Sequence, residues 1–477
     1  MPPEVPVPEE VRKVHLIAVA GTGMGTLACM LADRGFEVTG SDVAAYPPMG
    51  DQLRSAGIDV LEGFNADHLK AVRPDLVVIG NAVRAENPEA QAVLSQEIPY
   101  LSFPDAVHYF FIRGKHSVVA TGTHGKTTAT SLIGWMLTHG GEDPSVLIGG
   151  VAENFGRSFR LGDGEAFVIE GDEYDTAFFD KTPKFLHYVP RTLLLTSCEF
   201  DHADIYDSLE QIQQSFAELV KLVPDDGRIV AATDNQSVRQ VVARASAPIE
   251  GYGFQEEADW KVSDVTFGPE GTSFNVWRSG ERLGRVRSPL HGRHNLENVL
   301  GSIAVCHGLG MEFEAIEQAL LEFRGVRRRQ QVRGRAAGVT VVEDFAHHPT
   351  AVRETLAGMR AQFPDQKIWA IFEPRTNTSR RRFFEDAYIE AFSLADRVVL
   401  AEVYQPENIE PGDRFRPERV IEALGAAGVD AHYEPEIDGI IERLAASRSG
   451  ADVALIMSNG AFGGIYERML SRLSELE

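Results

Sequence analysis

Val118-Val-Ala-Thr-Gly-Thr-His-Gly-Lys-Thr-Thr-Ala-Thr-Ser131 runs from an apolar strand into a small-residue turn and then a helix start. Free backbone amides at such a turn, backed by the positive end of a helix, favour an anion. The stretch reads as a triphosphate cradle. Amides of Thr123, His124, Gly125 and Lys126 are placed to wrap phosphate oxygens, the Lys126 side chain adds a point charge, and Thr127, followed by Thr128, offers a hydroxyl to magnesium. The usual pattern G-x-x-x-x-G-K-[ST] is met except at its first position, where Ala120 stands. A simple helix cap is the plainer alternative for such a turn.

Two neighbouring strands support the cradle. Ala166-Phe-Val-Ile169 runs into Glu170-Gly-Asp-Glu-Tyr-Asp175, and Arg191-Thr-Leu-Leu-Leu-Thr-Ser197 runs into Cys198-Glu-Phe-Asp-His-Ala-Asp204. In a parallel sheet these acidic ends share the carboxyl edge with the phosphate loop, where metal ligands belong. Any one such acid is more readily a solvated loop or helix-capping residue, but recurrence behind a Lys-Thr loop favours a metal site. Glu170, directly after an apolar run, is the candidate ligand. His202 fits less well by chemistry alone, since magnesium prefers oxygen to imidazole.

Toward the N-terminus, Val14-His-Leu-Ile-Ala-Val-Ala20 leads into Gly21-Thr-Gly-Met-Gly-Thr26, a helical pattern from Leu27 to Arg34, and a strand ending at Asp42. This imitates the dinucleotide fingerprint G-x-G-x-x-G with its ribose-binding acid, with Thr26 in place of the third glycine. NAD, another nucleotide diphosphate, or no ligand at all would each suit it. Beyond the phosphate loop, residues 227–290 are β-rich, and His291-Gly-Arg-His-Asn-Leu-Glu-Asn298 opens a helix whose amides either read a base edge or cap the helix. Arg327-Arg-Arg329 is a solvated hinge or a phosphate contact. From Val339 onward strands and helices alternate again.

The length of 477 residues exceeds what one core usually supports. We expect an α/β chain of three domains: a Rossmann-like domain over 1–107, a P-loop domain of mainly parallel sheet with a β-rich part over 108–325, and a second Rossmann-like α/β domain over 326–477. Lys and Arg number 46 against 70 Asp and Glu, a net charge of −24, which disfavours nucleic acid and anionic membrane as partners. No stretch approaches the length of a membrane span, and three scattered cysteines suit a reducing cytoplasm. Residues 1–10 read as a flexible leader, and nothing marks an obligate protein partner.

Thr121–Thr128, Glu170 with Asp172 and Glu173, Asp201-His202, His294-Asn295, Arg328-Arg329 and Asp344 with His347-His348-Pro349 together resemble the Mur ligase family, in its order and over essentially the whole chain. The family's shortened phosphate loop also lacks the first glycine, which accounts for Ala120. Small departures, Gly171 and Ala461, remove no ligand. The absence of lysine between Asp201 and Gln214 implies no carbamylated lysine there. The resemblance implies an ATP-dependent amide-forming ligase with ATP and two magnesium ions.

By the same resemblance, Lys126 bridges the phosphates, Thr127 and Glu170 hold one magnesium ion, and Glu170 with His202 holds a second. His294, Asn295 and Asn298 border adenine, while Arg329 and Asp344 reach phosphate and ribose. Gly21, Thr22, Gly23, Met24, Gly25 and Thr26, with Ser41, Asp42 and Asn81, hold a UDP-sugar. Tyr46–Met49, Glu170–Lys181, Phe372–Thr378 and Met457–Ile465 resemble the branch that joins a murein tripeptide to UDP-N-acetylmuramate, with Arg375 and Asn377 on the peptide. The L-alanine-adding branch is the near alternative. An NAD-dependent oxidoreductase, which leaves the second nucleotide loop without a purpose, and a non-catalytic nucleotide-gated regulator are more distant ones.

Overall fold

Short apolar runs separated by amphipathic stretches bury themselves as strands covered by helices. The computed structural model describes residues 7–201 and 205–477. In the first sheet Lys13–Ile17 lies between Glu37–Asp42 and Leu76–Ile79, with Asp59–Glu62 and Tyr100–Ser102 outside them, all parallel. The chain winds first to one side of the central strand and then to the other. That reversal opens a crevice at the carboxyl ends, where ligands settle in such sheets.

The helix entering this crevice spans Thr22–Asp33, so it begins earlier than the apolar pattern suggests and takes Gly23 and Gly25 into its first turn. Packing overrides weak propensity there: a β-carbon on Gly25 would lie 2.2 Å from Met49 Sδ and 3.0 Å from Val19 O. The Tyr46–Met49 turn is thereby pressed against the helix start.

Among the described residues the central sheet has ten strands. Its parallel heart aligns Ile249–Gly253, Arg228–Ala232, Thr192–Leu195, His116–Thr121, Ala166–Gly171 and Ser145–Ala152 in that spatial order. The β-rich stretch extends the same sheet: Trp260–Gly268, Gly271–Arg278 and Glu281–Ser288 form an antiparallel meander on one edge. The third sheet sets Val339–Asp344, Asp452–Met457, Lys367–Phe372, Arg397–Leu400 and Asp430–Tyr433 parallel, with Gln331–Ala336 antiparallel at its edge.

The first and central units share apolar packing. The continuous helical stretch 103–112 crosses the expected 107/108 boundary, and its aromatic rings step from Phe36 to Phe110 (5.0 Å between centroids), Phe111 and Phe167. Among the described residues no helix is long and apolar enough to cross a membrane.

Gly40, in the strand beside the first phosphate crevice, has no room for a side chain, because a β-carbon there would lie 2.5 Å from Val19 Cβ. Gly40→Ala is expected to lose about 1–3 kcal/mol of stability through overpacking, read as a lower midpoint in chemical denaturation. An unchanged midpoint would mean that Val19 yields.

Candidate functional site

The strand His116–Thr121 delivers the chain to a loop that only glycine can turn twice: Gly122 has φ of 134° and Gly125 has φ of 84°. A β-carbon on Gly125 would sit 2.2 Å from Asn298 Oδ1, so the helix Arg293–Gly308 lies directly against the loop. Contrary to the sequence expectation, Thr123 and His124 turn their amides inward, to Ser197 O (3.2 Å) and Ser197 Oγ (2.8 Å). The adjacent strand end clamps this half of the loop. Gly125, Lys126, Thr127 and Thr128, at the start of the helix Lys126–His139, are left as the anion-facing positions.

Lys126 Nζ lies 2.8 Å from Glu173 and donates to Gly122 O at 2.7 Å. Burial opposes its charge, but Glu173, helped by Asp172 and Glu170, outweighs burial and holds the ammonium above the ordinary lysine range. The strand Ala166–Gly171 runs farther than the sequence suggests and carries Glu170 inside it. Glu170 Oε1 accepts from Thr127 Oγ1 at 2.9 Å, and Oε2 accepts from Gly149 N at 2.8 Å. Burial still wins there, raising the carboxyl above its usual range despite Lys126, Gly149, Thr127 and Arg329.

The three neighbouring arginines separate by role. Arg327 pairs with Glu153 at 3.1 Å and Arg328 with Glu343 at 2.8 Å, whereas Arg329 Nη2 reaches Thr127 Oγ1 at 3.4 Å. Asp344 is buried, its carboxylate accepting the amides of Gln330 and Ala346, each at 2.7 Å. Its present contacts therefore brace the start of the third unit. Neither Asn295 nor Asn298 caps the helix: Asn295 donates to His291 O at 2.9 Å, and Gly292 occupies the cap position. Burial, then Arg329 and His124, lower the His294 pKa to about 4, keeping it neutral.

Most of these groups line a cleft of about 710 Å³ whose lining also includes Asn377. Arg375 stands outside that lining, with its guanidinium 3.7 Å from the Tyr404 ring centroid. The Gly21–Thr26 segment, Asp42 and Asn81 gather instead at the edge of the first sheet, where Asp42 Oδ2 accepts from Ala20 N at 2.8 Å. Two expected contacts there are turned inward. Ser41 is fully buried and donates to Glu89, which also meets His68 at 2.8 Å, and Thr26 Oγ1 lies 2.8 Å from Ser158 Oγ. His202 lies outside the described residues.

Several participants were not singled out from sequence. Gly149 belongs to a Gly-Gly pair after an apolar run, a signal for close backbone approach. Glu199 holds His124 Nε2 at 3.5 Å and accepts from Thr350 Oγ1 at 2.8 Å. Burial would raise the Glu199 pKa, yet His124, Thr350 and His348 outweigh it and bring it to about 2. His124, Glu199 and His348 offer ligand atoms within 4.8 Å of one another. Both His348 nitrogens already have partners, Thr350 N at 3.3 Å and Phe200 O at 3.2 Å, so the trio is a polar joint between units.

Glu297 also lines the cleft. Burial foremost, then Asp234 and Glu354, raise its pKa to about 7 against the pull of Arg293. Because the folded value exceeds the ordinary 4.5, stability is full below about 4.5 and falls as pH rises through about 7. Glu297→Gln is expected to flatten that decline and to be more stable than the parent at pH ~8, by an amount of order 1–3 kcal/mol. Denaturant titrations at pH ~4.5 and ~8 check it, and a parallel decline in both proteins would contradict it.

The sequence profiles described as Mur ligase family, catalytic domain; Mur ligase middle domain; and Mur ligase, glutamate ligase domain match residues 13–113, 120–306 and 328–460. The chain is 40% identical over 465 residues to the UDP-N-acetylmuramate–L-alanyl-γ-D-glutamyl-meso-2,6-diaminoheptandioate ligase of Escherichia coli K12, covering 97% of this chain and 98% of that one. A crystal structure of a murein peptide ligase from Psychrobacter arcticus superposes with a TM-score of 0.72 at 33% identity, covering 97% of this chain and 99% of that one. The UDP-N-acetylmuramate–alanine ligase of Thermotoga maritima gives 0.79 at 25% identity, covering 98% and 100%.

Proposed function

The chain belongs to the Mur ligase family, and we propose that it joins the free amine of L-alanyl-γ-D-glutamyl-meso-diaminopimelate to the carboxylate of UDP-N-acetylmuramate, converting ATP to ADP and phosphate. The product is a peptidoglycan precursor rebuilt from recycled peptide. One observation carries the reading: Thr127, Glu170 and Arg329, from three separate stretches, converge within hydrogen-bond reach beside a part-buried lysine. Residues 1–107 then hold the UDP-sugar, 108–325 the ATP, and 326–477 the peptide. UDP-sugar contacts fall to Gly21–Thr26, Asp42 and Asn81, with Ser41 supporting them from behind, its carbonyl accepting from Ala18 N at 2.9 Å and Val19 N at 3.1 Å.

A carboxylate resists attack by an amine because its oxygen is a poor leaving group. In the proposed reaction the muramate carboxylate oxygen attacks the γ-phosphorus and the bond to ADP breaks, giving an acyl phosphate. The peptide nitrogen then attacks the acyl carbon, loses its proton and expels phosphate. Both steps gather negative charge, so positioning and charge neutralisation dominate. Lys126 meets the β- and γ-phosphates on exchange from Glu173. Arg329 approaches from the third unit, and His294, Asn295 and Asn298 border the base.

The oxygen donors Thr127 Oγ1 and Glu170 suit a hard cation, and the raised proton affinity of Glu170 marks a carboxylate short of positive charge. They would hold magnesium, which supplies charge neutralisation at the transferring phosphoryl group; the resemblance adds a second ion on Glu170 and His202.

The L-alanine-adding alternative shares fold and ATP site, so neither separates the two. The choice rests on the Phe372–Thr378 segment and on the full-length relative that takes the peptide. Phosphate release from ATP and UDP-N-acetylmuramate is expected with the tripeptide and to be much weaker with L-alanine; the reverse preference would overturn the reading. Glu170→Ala should lower kcat by about 10²–10³-fold, and Lys126→Ala at least as much. Turnover near the parent rate in either variant would remove the role assigned to it.

A further inference from the structure

Arg380 lies in the segment that leaves the strand Lys367–Phe372 at its carboxyl end, and its side chain is buried, with the residue only 9% exposed. Every acceptor it has is neutral: Tyr404 O at 3.1 Å, Gln405 O at 3.3 Å and Asn377 Oδ1 at 2.5 Å. Its Nε is buried with no partner. It makes no ion pair among the described residues, and the adjacent Arg381, whose Nε is likewise unpartnered, makes none either. This is the wrong outcome for a chain with 70 acidic and 46 basic side chains, where chance alone supplies carboxylates.

A buried cation without a counter-ion is costly, and the guanidinium fork is shaped for a carboxylate. Burial and the neighbouring Arg381 even pull it below the ordinary arginine range, against Tyr404 and Glu407. Among the described residues no carboxylate supplies the missing partner, which leaves the position open to an acid from outside the chain. Asn377 connects Arg380 to the cleft, since it lines the cleft with Thr376 and Thr378, while Thr378 Oγ1 fixes the segment to Asp201 Oδ1 at 2.9 Å. Arg375, already stacked on Tyr404 and 3.4 Å from Glu373, is the more compensated neighbour.

We propose that Arg380, reached through Asn377, seats a side carboxylate of the incoming acidic peptide and thereby selects a peptide over a single amino acid. The inference rests on the function proposed above. In L-alanyl-γ-D-glutamyl-meso-diaminopimelate the γ-linkage leaves the glutamyl α-carboxylate free, and both diaminopimelyl carboxylates are free as well. L-alanine carries only the one beside its reacting amine. A second cationic seat therefore has an occupant with the peptide and none with L-alanine.

The test compares the tripeptide with versions amidated at the glutamyl or at a diaminopimelyl carboxylate, in the parent and in Arg380→Met. Parent activity with tripeptide against L-alanine first decides the functional reading by itself. The parent is then expected to lose about 10–100-fold in KM for one amidated peptide, and Arg380→Met to lose a similar factor for the unmodified tripeptide but little more for that same amide. kcat and the KM for ATP should stay within about twofold, and Arg380→Lys should recover part of the loss. Equal KM for all peptides in the parent would overturn the proposal without any variant, even if Arg380→Met fails to fold. An equal rise for every peptide in Arg380→Met would reduce Arg380 to a support for its loop and overturn it too.

Discussion

Lys126 and the carboxylates around it form the charge balance on which the cleft depends. The ammonium is 2.8 Å from the buried Glu173, and that pairing lets a cation persist beneath the phosphate loop. Glu170, three residues earlier in the same acidic run, is treated differently. Its partners are a hydroxyl, an amide and more distant cations, which do not offset its burial. Two acids of one motif thus have opposite needs, one satisfied by lysine and the other short of positive charge. A triphosphate competing for Lys126 must displace Glu173, while a divalent cation is drawn to Glu170. Anion and metal therefore fit the cleft better together than either does alone.

The strand end at Thr196–Asp201 transmits this arrangement to the rest of the chain. On one side Thr196 and Ser197 clamp the phosphate loop, with Thr196 Oγ1 donating to His124 O at 2.5 Å. On the other, Glu199 accepts from Thr350 and Asp201 from Thr378, both in the third unit. A shift of the third unit consequently pulls on the backbone that shapes the phosphate loop. Arg329 completes the circuit by returning to Thr127. ATP-site geometry and the position of the peptide-binding unit are mechanically one problem.

Much of this could be read from residues in order, and the failures share a cause. The phosphate loop, the Glu170 strand end and the alternation of strands and helices follow from local patterns, because period, glycine placement and chain direction are local properties. The inward amides of Thr123 and His124 are set by Ser197, more than seventy residues away. The resemblance placed Ser41 beside the UDP-sugar, and in the fold Glu89, nearly fifty residues away, takes its hydroxyl. Asp344 lines the cleft, and the amides of Gln330 and Ala346 that its carboxylate accepts are contacts no local pattern announces. Sequence discloses which groups gather at a carboxyl edge, while distant partners decide which way each group faces.

The same distinction bears on specificity. A fold shared between ligases of different amines cannot choose the amine, so the choice must lie where local charge departs from the general rule of the surface. In a chain of net charge −24 almost any exposed cation will find a carboxylate. Arg333 and Arg419 each find two. Among the described residues Arg380 does not, although it lies in a segment that lines the cleft, because folding has enclosed it among carbonyls and an asparagine. Excluding the protein's own acids keeps such a seat open to an acid on the substrate, and the abundance of acids elsewhere makes that exclusion informative.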